Sequence, residues 1–238
     1  MVEALINNDV SKPVSADTDE AKVALLFEQR NLISAPVIDE NNQLVGRITI
    51  DDVVDVIRDQ AEHSVMSMVG LDEDEDVFAP IIQSSKKRSV WLGVNLVTAF
   101  IAVYFIGLFE ATLQQKIALA ILMPVVASMG GIAGTQTLII VTRGIATGRV
   151  TTANIKTLIN KEVAVSGLNG IIWSIVIGLI TYYWFADLLL SLIIALAIIT
   201  NLVVAAFSGA FLPLLLTKLK IDPALAGGVI LTTITDVI

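Results

Sequence analysis

Cysteine is absent from the chain, and histidine occurs once, at position 63. Without thiols the chain can form no disulfide bond, no zinc–thiolate site and no cysteine nucleophile. The sequence also contains no phosphate-binding glycine loop, no Ser-His-Asp set and no metal-binding histidine cluster. These absences favour a protein that is not an enzyme.

Charged residues are scarce and unevenly spread. Only 16% of the residues are charged, the net charge is −8, and most of the acids lie in residues 1–88. Basic residues form no stripe outside short loops, so nucleic acid is excluded as a partner. The chain is 55% hydrophobic with a mean hydropathy of +0.80, which is too apolar for an ordinary globular domain. We therefore predict a soluble acidic domain followed by a membrane domain.

Five apolar segments predict the membrane domain. The first four are long enough to cross a hydrocarbon core, which requires about 20 helical residues. The fifth has only about 15 residues, so we interpret it as an incomplete span. The predicted fold class is mainly α: a polytopic helical membrane domain of five transmembrane segments, preceded by a partial α/β unit. The segments are residues 90–109, 117–145, 162–185, 188–216 and 224–238.

Basic residues alternate between the predicted loops. The positive-inside rule places the loops that contain them, and with them the N-terminal domain, in the cytoplasm. No apolar signal peptide follows Met1, which agrees with this orientation. We predict a multi-pass protein of the cytoplasmic membrane, with the lipid bilayer around it. The basic residues are Lys86, Lys87, Arg88, Arg143, Arg149, Lys156, Lys161, Lys218 and Lys220.

Residues 13–58 have the pattern of a small α/β unit. Thr18 is the predicted N-cap of an amphipathic helix, and Asp51 is the predicted cap of a second helix. Between them, turn residues separate two β-rich runs. The stretch SAPVIDENNQLVGRITIDDVVDVI resembles the C-terminal part of a CBS motif. Since CBS motifs work in pairs, we expect the chain to be truncated at its N-terminus as well as in its last helix. The predicted elements are helix 20–30, strands 33–39 and 44–50, and helix 52–62.

Asp236 is an acidic residue within an apolar segment. If Asp222 and Pro223 begin a helix, a rise of roughly 1.5 Å per residue places Asp236 about 20 Å into a core about 30 Å thick. An ionised Asp facing lipid there costs at least about 2.5–3.5 kcal/mol. Gly228, Thr232 and Asp236 share one helical stripe, which would suit a hydrated Mg²⁺. A place near the water interface, or a bond to a neighbouring helix, is the alternative.

The second apolar segment contains a proline and several glycines. Pro124 removes a backbone donor, while the glycines permit either close helix packing or local unwinding along a polar path. Gln136 in the same turn as the last glycine favours a polar lining. The candidate pore-lining residues of this segment are Gly130, Gly131, Gly134 and Gln136.

Other polar positions have two interpretations each. Glu162 follows Lys161 at a membrane boundary, where it is either an anchor or part of a pore mouth. Asn95, Asn169 and Asn201 are interpreted as interhelical hydrogen-bond donors rather than ligands. The acidic run at 72–76 is either a solvated linker or a patch that senses divalent cations.

These motifs resemble the MgtE family of magnesium channels and transporters. The most specific pieces are Pro124 with the glycine run that ends at Gln136, and DPAL at 222–225 followed by the Thr and Asp-Val of 233–237. The resemblance implies a homodimer with a partial CBS domain at 1–58, a plug helix and acidic linker at 59–88, and a pore domain at 89–238.

The resemblance also implies ion-binding roles. Asp236 would be the pore carboxylate for Mg²⁺, with Thr232 beside the ion, and Gly228 would line the pore. Asp52 and Asp55 would bind regulatory Mg²⁺ and hold the pore shut. Arg58, Gln60 and His63 stand where better-known members have acids, so regulatory binding would either be weaker here or move to Asp59, Glu62 and the acidic run at 72–76.

Two alternatives remain open from the sequence. One is transport of another hard divalent cation, such as Co²⁺, Mn²⁺ or Ca²⁺. The other is a CBS-type nucleotide-sensing membrane protein without an ion path, with ATP bound at the CBS region. An anion channel fits less well, because the buried stripe ends in an acid.

Overall fold

The computed structural model describes residues 13–71, 78–151 and 153–238. The chain divides into two compact units between Ser67 and Met68. The acidic run at 72–76, for which we predicted a linker or a sensor, lies outside the described residues. The elements are β1 (Val14–Ser15), α1 (Glu20–Arg30), β2 (Ser34–Ile38), β3 (Leu44–Thr49), α2 (Ile50–Ser67), α3 (Ile81–Gly107), α4 (Glu110–Gln115), α5 (Ile117–Ala146), α6 (Ile155–Phe185), α7 (Leu188–Lys218) and α8 (Pro223–Val237).

The N-terminal unit is a three-stranded sheet with two helices. Its strand order is β1-β2-β3, with β1 parallel to β2 and β2 antiparallel to β3. Phe27, Ala35 and Val53 pack in one apolar core and are at most 2% exposed. Asn42, in the predicted turn, has φ 58°, a conformation that Asn tolerates better than most residues. The predicted α/β unit is therefore confirmed.

Helix caps in this unit differ from the prediction. Asp19, not Thr18, is the N-cap of α1, and its carboxylate accepts from the Lys22 amide at 3.4 Å. At α2, the amide and hydroxyl of Thr49 each donate to Asp52 Oδ2 at 2.9 Å. The bond from the Thr49 amide is one half of a capping box, and α2 begins at Ile50 instead of after an Asp51 cap.

The membrane unit contains the predicted apolar helices. Within the described residues, four helices are long and apolar enough to cross a membrane (α3, α5, α6 and α7), and α8 is a shorter apolar helix. This confirms the mainly helical membrane domain. Helices α3 and α6 begin several residues before their predicted segments, because each continues beyond its apolar part into polar sequence. The short helix α4 was not predicted.

Helix α7 is the central helix of the membrane unit. It packs against α5, α6 and α8, and its residues Ile198, Ala205, Ala206 and Ala210 are fully buried. Small residues at these contacts let helix backbones approach closely. Helix α3, by contrast, has α8 as its main packing partner, and Ala102 is its one buried residue among those described. Most of the apolar surface of α3 is thus left on the outside of the protomer.

An ion pair joins the N-termini of α5 and α7. Lys116 Nζ lies 3.0 Å from Asp187 Oδ2, although the two residues are 71 positions apart. Asp187 is also the N-cap of α7 and accepts from the Leu190 amide at 3.0 Å. The Leu190 hydrogen bond, and then Lys116, hold the pKa of the Asp187 carboxyl below its usual value. The helices therefore alternate in direction, with the α5–α6 loop at the opposite end.

Candidate functional site

Helix α8 begins at Pro223, as the estimate of the depth of Asp236 in the membrane assumed. The Asp222 carboxylate accepts from the Ala224 amide at 2.8 Å, and Pro223 is the first helical residue. Proline is favoured at this position because its missing N–H would have no partner there. Helix α8 packs against α3, α5 and α7. The acidic residue at its far end thus lies on a well-packed helix.

Two faces of α8 have different surroundings. Leu231 and Thr235 face inward and are 0% and 2% exposed. Thr232 and Asp236 are exposed on the surface of the protomer, on the same helical face as Gly228. In the described part of the chain, the Asp236 carboxylate forms no hydrogen bond and no ion pair. The predicted stripe therefore lies on the outward face of α8, and a basic neighbour does not neutralise the acid.

A cavity of about 240 Å³ adjoins this face of α8. Asn95 of α3, Thr135 of α5 and Thr232 of α8 supply its polar side chains, and Gly228 and apolar residues, among them Met68, complete the lining. Asp236 lies one helical turn past Thr232, which is about 6 Å along the axis. We call this cavity and the adjoining Asp236 the α8 site. It brings together residues of the second and fifth predicted segments.

Asn95 and Thr135 line the cavity of the α8 site, although the sequence predicted an interhelical hydrogen bond for Asn95. Its Nδ2 donates to the Trp91 carbonyl of its own helix at 2.9 Å, so the interhelical interpretation of Asn95 is wrong. Thr232 donates to backbone carbonyls of its own helix, Val229 at 3.0 Å and Gly228 at 3.2 Å. Because its single proton is used there, the hydroxyl oxygen is left as an acceptor.

The glycines of α5 divide into packed and open positions. A Cβ at Gly130 would lie 2.5 Å from Asn201 Nδ2, and one at Gly134 would lie 2.9 Å from Leu231 Cδ1. A Cβ at Gly131 would meet no atom within 4 Å. Gly130 and Gly134 therefore serve close helix packing, which was one of the two interpretations of the run. That these three glycines line an ion path stays a prediction.

Asn201 shows why Gly130 carries no side chain. Its Nδ2 donates to the Val126 carbonyl of α5 at 2.8 Å, and the residue is 1% exposed. Gly130 lies one turn beyond Val126, so any side chain there would displace the amide. The interhelical interpretation of Asn201 is confirmed. Its Oδ1 is buried without a partner among the described residues.

The remaining candidate pore residues lie away from the α8 cavity. Gln136 is exposed on α5, while Glu162 is 5% exposed and its Oε1 lies 3.4 Å from Lys161 Nζ. Neither Gln136 nor Glu162 lines the cavity. Glu162 sits inside α6 rather than at the start of a helix. Its pairing fits the anchor interpretation, and the pore-mouth role stays a prediction.

The four candidate regulatory acids share one face of α2. Asp52, Asp55, Asp59 and Glu62 follow a spacing of three and four residues, and all are exposed. The Arg58 guanidinium lies 3.7 Å from Asp55 and 3.6 Å from Asp59, so it offsets part of their negative charge. Among the described residues no three acidic or His side chains converge on a metal-sized site. A cation there would keep most of its waters or bridge to another acidic surface.

Comparison with known proteins gives matches over both units. Residues 123–238 match the MgtE family model, described as a divalent cation transporter, and residues 4–59 match the CBS domain model. A protein named Magnesium transporter MgtE from Bacillus subtilis is 33% identical over 96% of this chain and 51% of its own length. Its namesake from Thermus thermophilus is 30% identical over 94% of this chain and 50% of its own length. The chain thus spans about half the length of the curated relatives it matches.

Proposed function

Because the chain belongs to the MgtE family of divalent cation transporters, we propose that it carries hydrated Mg²⁺ across the cytoplasmic membrane through the α8 site. One observation carries the proposal: an unpaired carboxylate, Asp236, stands on an apolar helix beside a cavity whose lining includes the polar side chains of Asn95, Thr135 and Thr232. The N-terminal unit would lie in the cytoplasm, on the side where the basic loops collect.

Hard-cation chemistry supports this assignment. Mg²⁺ gives up its waters reluctantly and is usually held through one or two carboxylates. Asp236 would attract the hydrated ion, while the Thr232 hydroxyl oxygen and nearby carbonyls accept hydrogen bonds from its waters. All of these groups are oxygen ligands, which favours Mg²⁺ over ions that prefer nitrogen or sulfur.

The position of Asp236 also supports a homodimer. On a single protomer the side chain is exposed on the outer face of α8. A charge deep in the bilayer is strongly disfavoured against lipid, so that face needs a partner or a water-filled path. A second copy of the chain, facing the first across α8, would enclose the ion between two Asp236 side chains.

Ion uptake by the full chain in lipid vesicles tests the proposed function. We expect Mg²⁺ to enter vesicles loaded with a fluorescent Mg²⁺ indicator, and entry to persist when equal Ca²⁺ is added outside. Preferential uptake of Co²⁺, Mn²⁺ or Ca²⁺ would assign a different cargo. Absence of uptake of any of these ions, together with ATP binding to the N-terminal unit, would favour a nucleotide sensor without an ion path.

We also propose that the acidic face of α2 regulates the path. Clustered carboxylates repel one another, and a divalent cation bound between acidic surfaces offsets that repulsion. High Mg²⁺ on the N-terminal side would then favour a closed state, and low Mg²⁺ an open one. Arg58 weakens this response, since it already neutralises part of the charge of Asp55 and Asp59.

Substitution of Arg58 by Gln tests the regulatory proposal. We expect Arg58→Gln to lower the Mg²⁺ concentration that half-inhibits uptake by roughly threefold, in keeping with the small energies of exposed ion pairs. The measurement is vesicle uptake with Mg²⁺ varied on the side of the N-terminal unit. Lys22→Gln, which removes the same charge from α1, should leave inhibition unchanged. Equal inhibition of the wild type and Arg58→Gln would refute a regulatory role for this face.

A further inference from the structure

A second cavity, of about 500 Å³, lies where α5 ends and α6 begins. Three basic residues, Arg143, Arg149 and Lys161, line it, and none of its described lining residues is acidic. Lys161 pairs with the neighbouring Glu162, whereas the two arginines form no ion pair with any described residue. The cavity therefore holds two uncompensated guanidinium groups, and we call it the basic pocket.

Hydrogen bonds fix the backbone at both of these arginines. The Thr147 hydroxyl donates to the Arg143 carbonyl at 2.9 Å, which closes the last turn of α5. The Asn154 Nδ2 donates to the Arg149 carbonyl at 2.7 Å, and its Oδ1 accepts from the Thr151 amide at 2.8 Å. The backbone on both sides of the basic pocket is thus held in place without using the guanidinium groups.

Part of the remaining wall of the basic pocket is apolar. Ile139 and Ile140 of α5 and Leu158 of α6 contribute to it. Both helices are long enough to span a membrane, so the loop between them lies at the membrane boundary. A site that joins cationic side chains to an apolar wall at this depth matches a phosphate attached to acyl chains better than a soluble anion.

We propose that the basic pocket binds the phosphate of an anionic phospholipid. Arginine presents several N–H donors in a planar fork, which suits bidentate contacts with phosphate oxygens. Arg143 and Arg149 would hold the headgroup, while the isoleucines and Leu158 contact the start of the acyl chains. This lipid site is separate from the α8 site and does not depend on ion transport.

Lipid retention by the purified full chain tests the lipid site. The chain is taken from membranes containing phosphatidylglycerol and phosphatidylcholine, and bound lipid is counted by native mass spectrometry. We expect preferential retention of phosphatidylglycerol, and a loss of roughly 30-fold in Arg143→Gln/Arg149→Gln, from the contribution of about two basic residues near an anionic surface. The control Lys156→Gln/Lys218→Gln removes two positive charges outside the pocket and should retain the lipid.

Two further measurements distinguish a lipid phosphate from a soluble one and separate loss of binding from misfolding. Glycerol phosphate or inorganic phosphate in excess should not displace the lipid; efficient displacement would overturn the proposal in favour of a soluble anion. Arg143→Lys/Arg149→Lys keeps the charge but loses the planar fork, and should retain more lipid than the Gln variant and less than the wild type. Equal retention of both lipids by the wild type, or equal loss in the pocket and control variants, would also overturn it.

Discussion

Substitution of Asp236 by Ala in the full chain is expected to reduce Mg²⁺ uptake by at least tenfold. Two unit charges about 4 Å apart attract one another by about 4 kcal/mol at an effective dielectric constant of about 20. Even about 1.4 kcal/mol of lost attraction lowers ion occupancy tenfold. None of the described residues that line the cavity beside α8 is acidic, so the attraction has no substitute among them. Initial uptake rates in vesicles at matched protein density measure the effect.

Controls separate charge from folding in this experiment. Glu110→Gln removes one negative charge from α4, far in sequence from the α8 site, and should leave uptake unchanged. Asp236→Glu keeps the charge on a longer side chain and should retain more uptake than Asp236→Ala. Unchanged uptake in Asp236→Ala, with normal elution and thermal stability of the protein, would remove this residue from the transport mechanism.

Gly209→Ala is expected to destabilise the membrane unit by about 1–3 kcal/mol, the usual cost of overpacking. A Cβ at Gly209 of α7 would lie 2.5 Å from the Gly134 carbonyl oxygen and 3.2 Å from the Leu138 amide nitrogen of α5. These are backbone atoms, so the clash cannot be relieved by rotating a side chain, and the two helices must move apart. Thermal unfolding in detergent, followed by size-exclusion chromatography, measures the loss.

Gly131→Ala is the matched control for this prediction. It makes the same chemical change inside a membrane helix, but its Cβ would meet no atom within 4 Å on the protomer. Alanine has the higher helix propensity, so the variant should be as stable as the wild type or slightly more stable. Equal stability of Gly209→Ala and the wild type would contradict the close approach of α5 and α7. A large loss in Gly131→Ala alone would indicate that Gly131 faces a second protomer.

Strong local signals made much of the fold predictable from the sequence. Long apolar segments predicted the membrane helices, because a bilayer demands length and apolarity of whatever crosses it. The Asp222-Pro223 pair predicted the start of α8, since both residues favour a helix N-terminus. The turn residues between the two β-rich runs likewise predicted the connection of β2 to β3. In each case, the information lies in residues adjacent in sequence.

Contacts between distant residues were the features that the sequence could not decide. The glycines of α5 look alike along the chain, yet a Cβ at Gly130 would meet Asn201, whereas one at Gly131 would meet no atom of the described residues within 4 Å. Which side of α5 faces α7 depends on the packing of the entire bundle. Asn95 was misassigned for the same reason, because a polar residue in a span does not reveal whether a helix or a cavity faces it.

The capping error at α2 has a different cause. The Thr-x-x-Asp pattern from Thr49 to Asp52 is a recognisable helix start, but the adjacent Asp51 is also a good capping residue. Choosing between them requires knowing where β3 ends, and β3 continues to Thr49 through its pairing with Ser34. Sheet register thus determines which residue begins the helix.

Because α3 is sparsely packed, a movement of this helix acts mainly on α8. Since α8 is its main packing partner, a force that tilts α3 is delivered to the helix that carries Asp236 before it reaches the rest of the bundle. Helix α8 is held in turn by α5 and α7, against which it also packs. A displacement of α3 would therefore change the cavity beside α8, which α3 lines through Asn95, before it changed the packing of α5, α6 and α7.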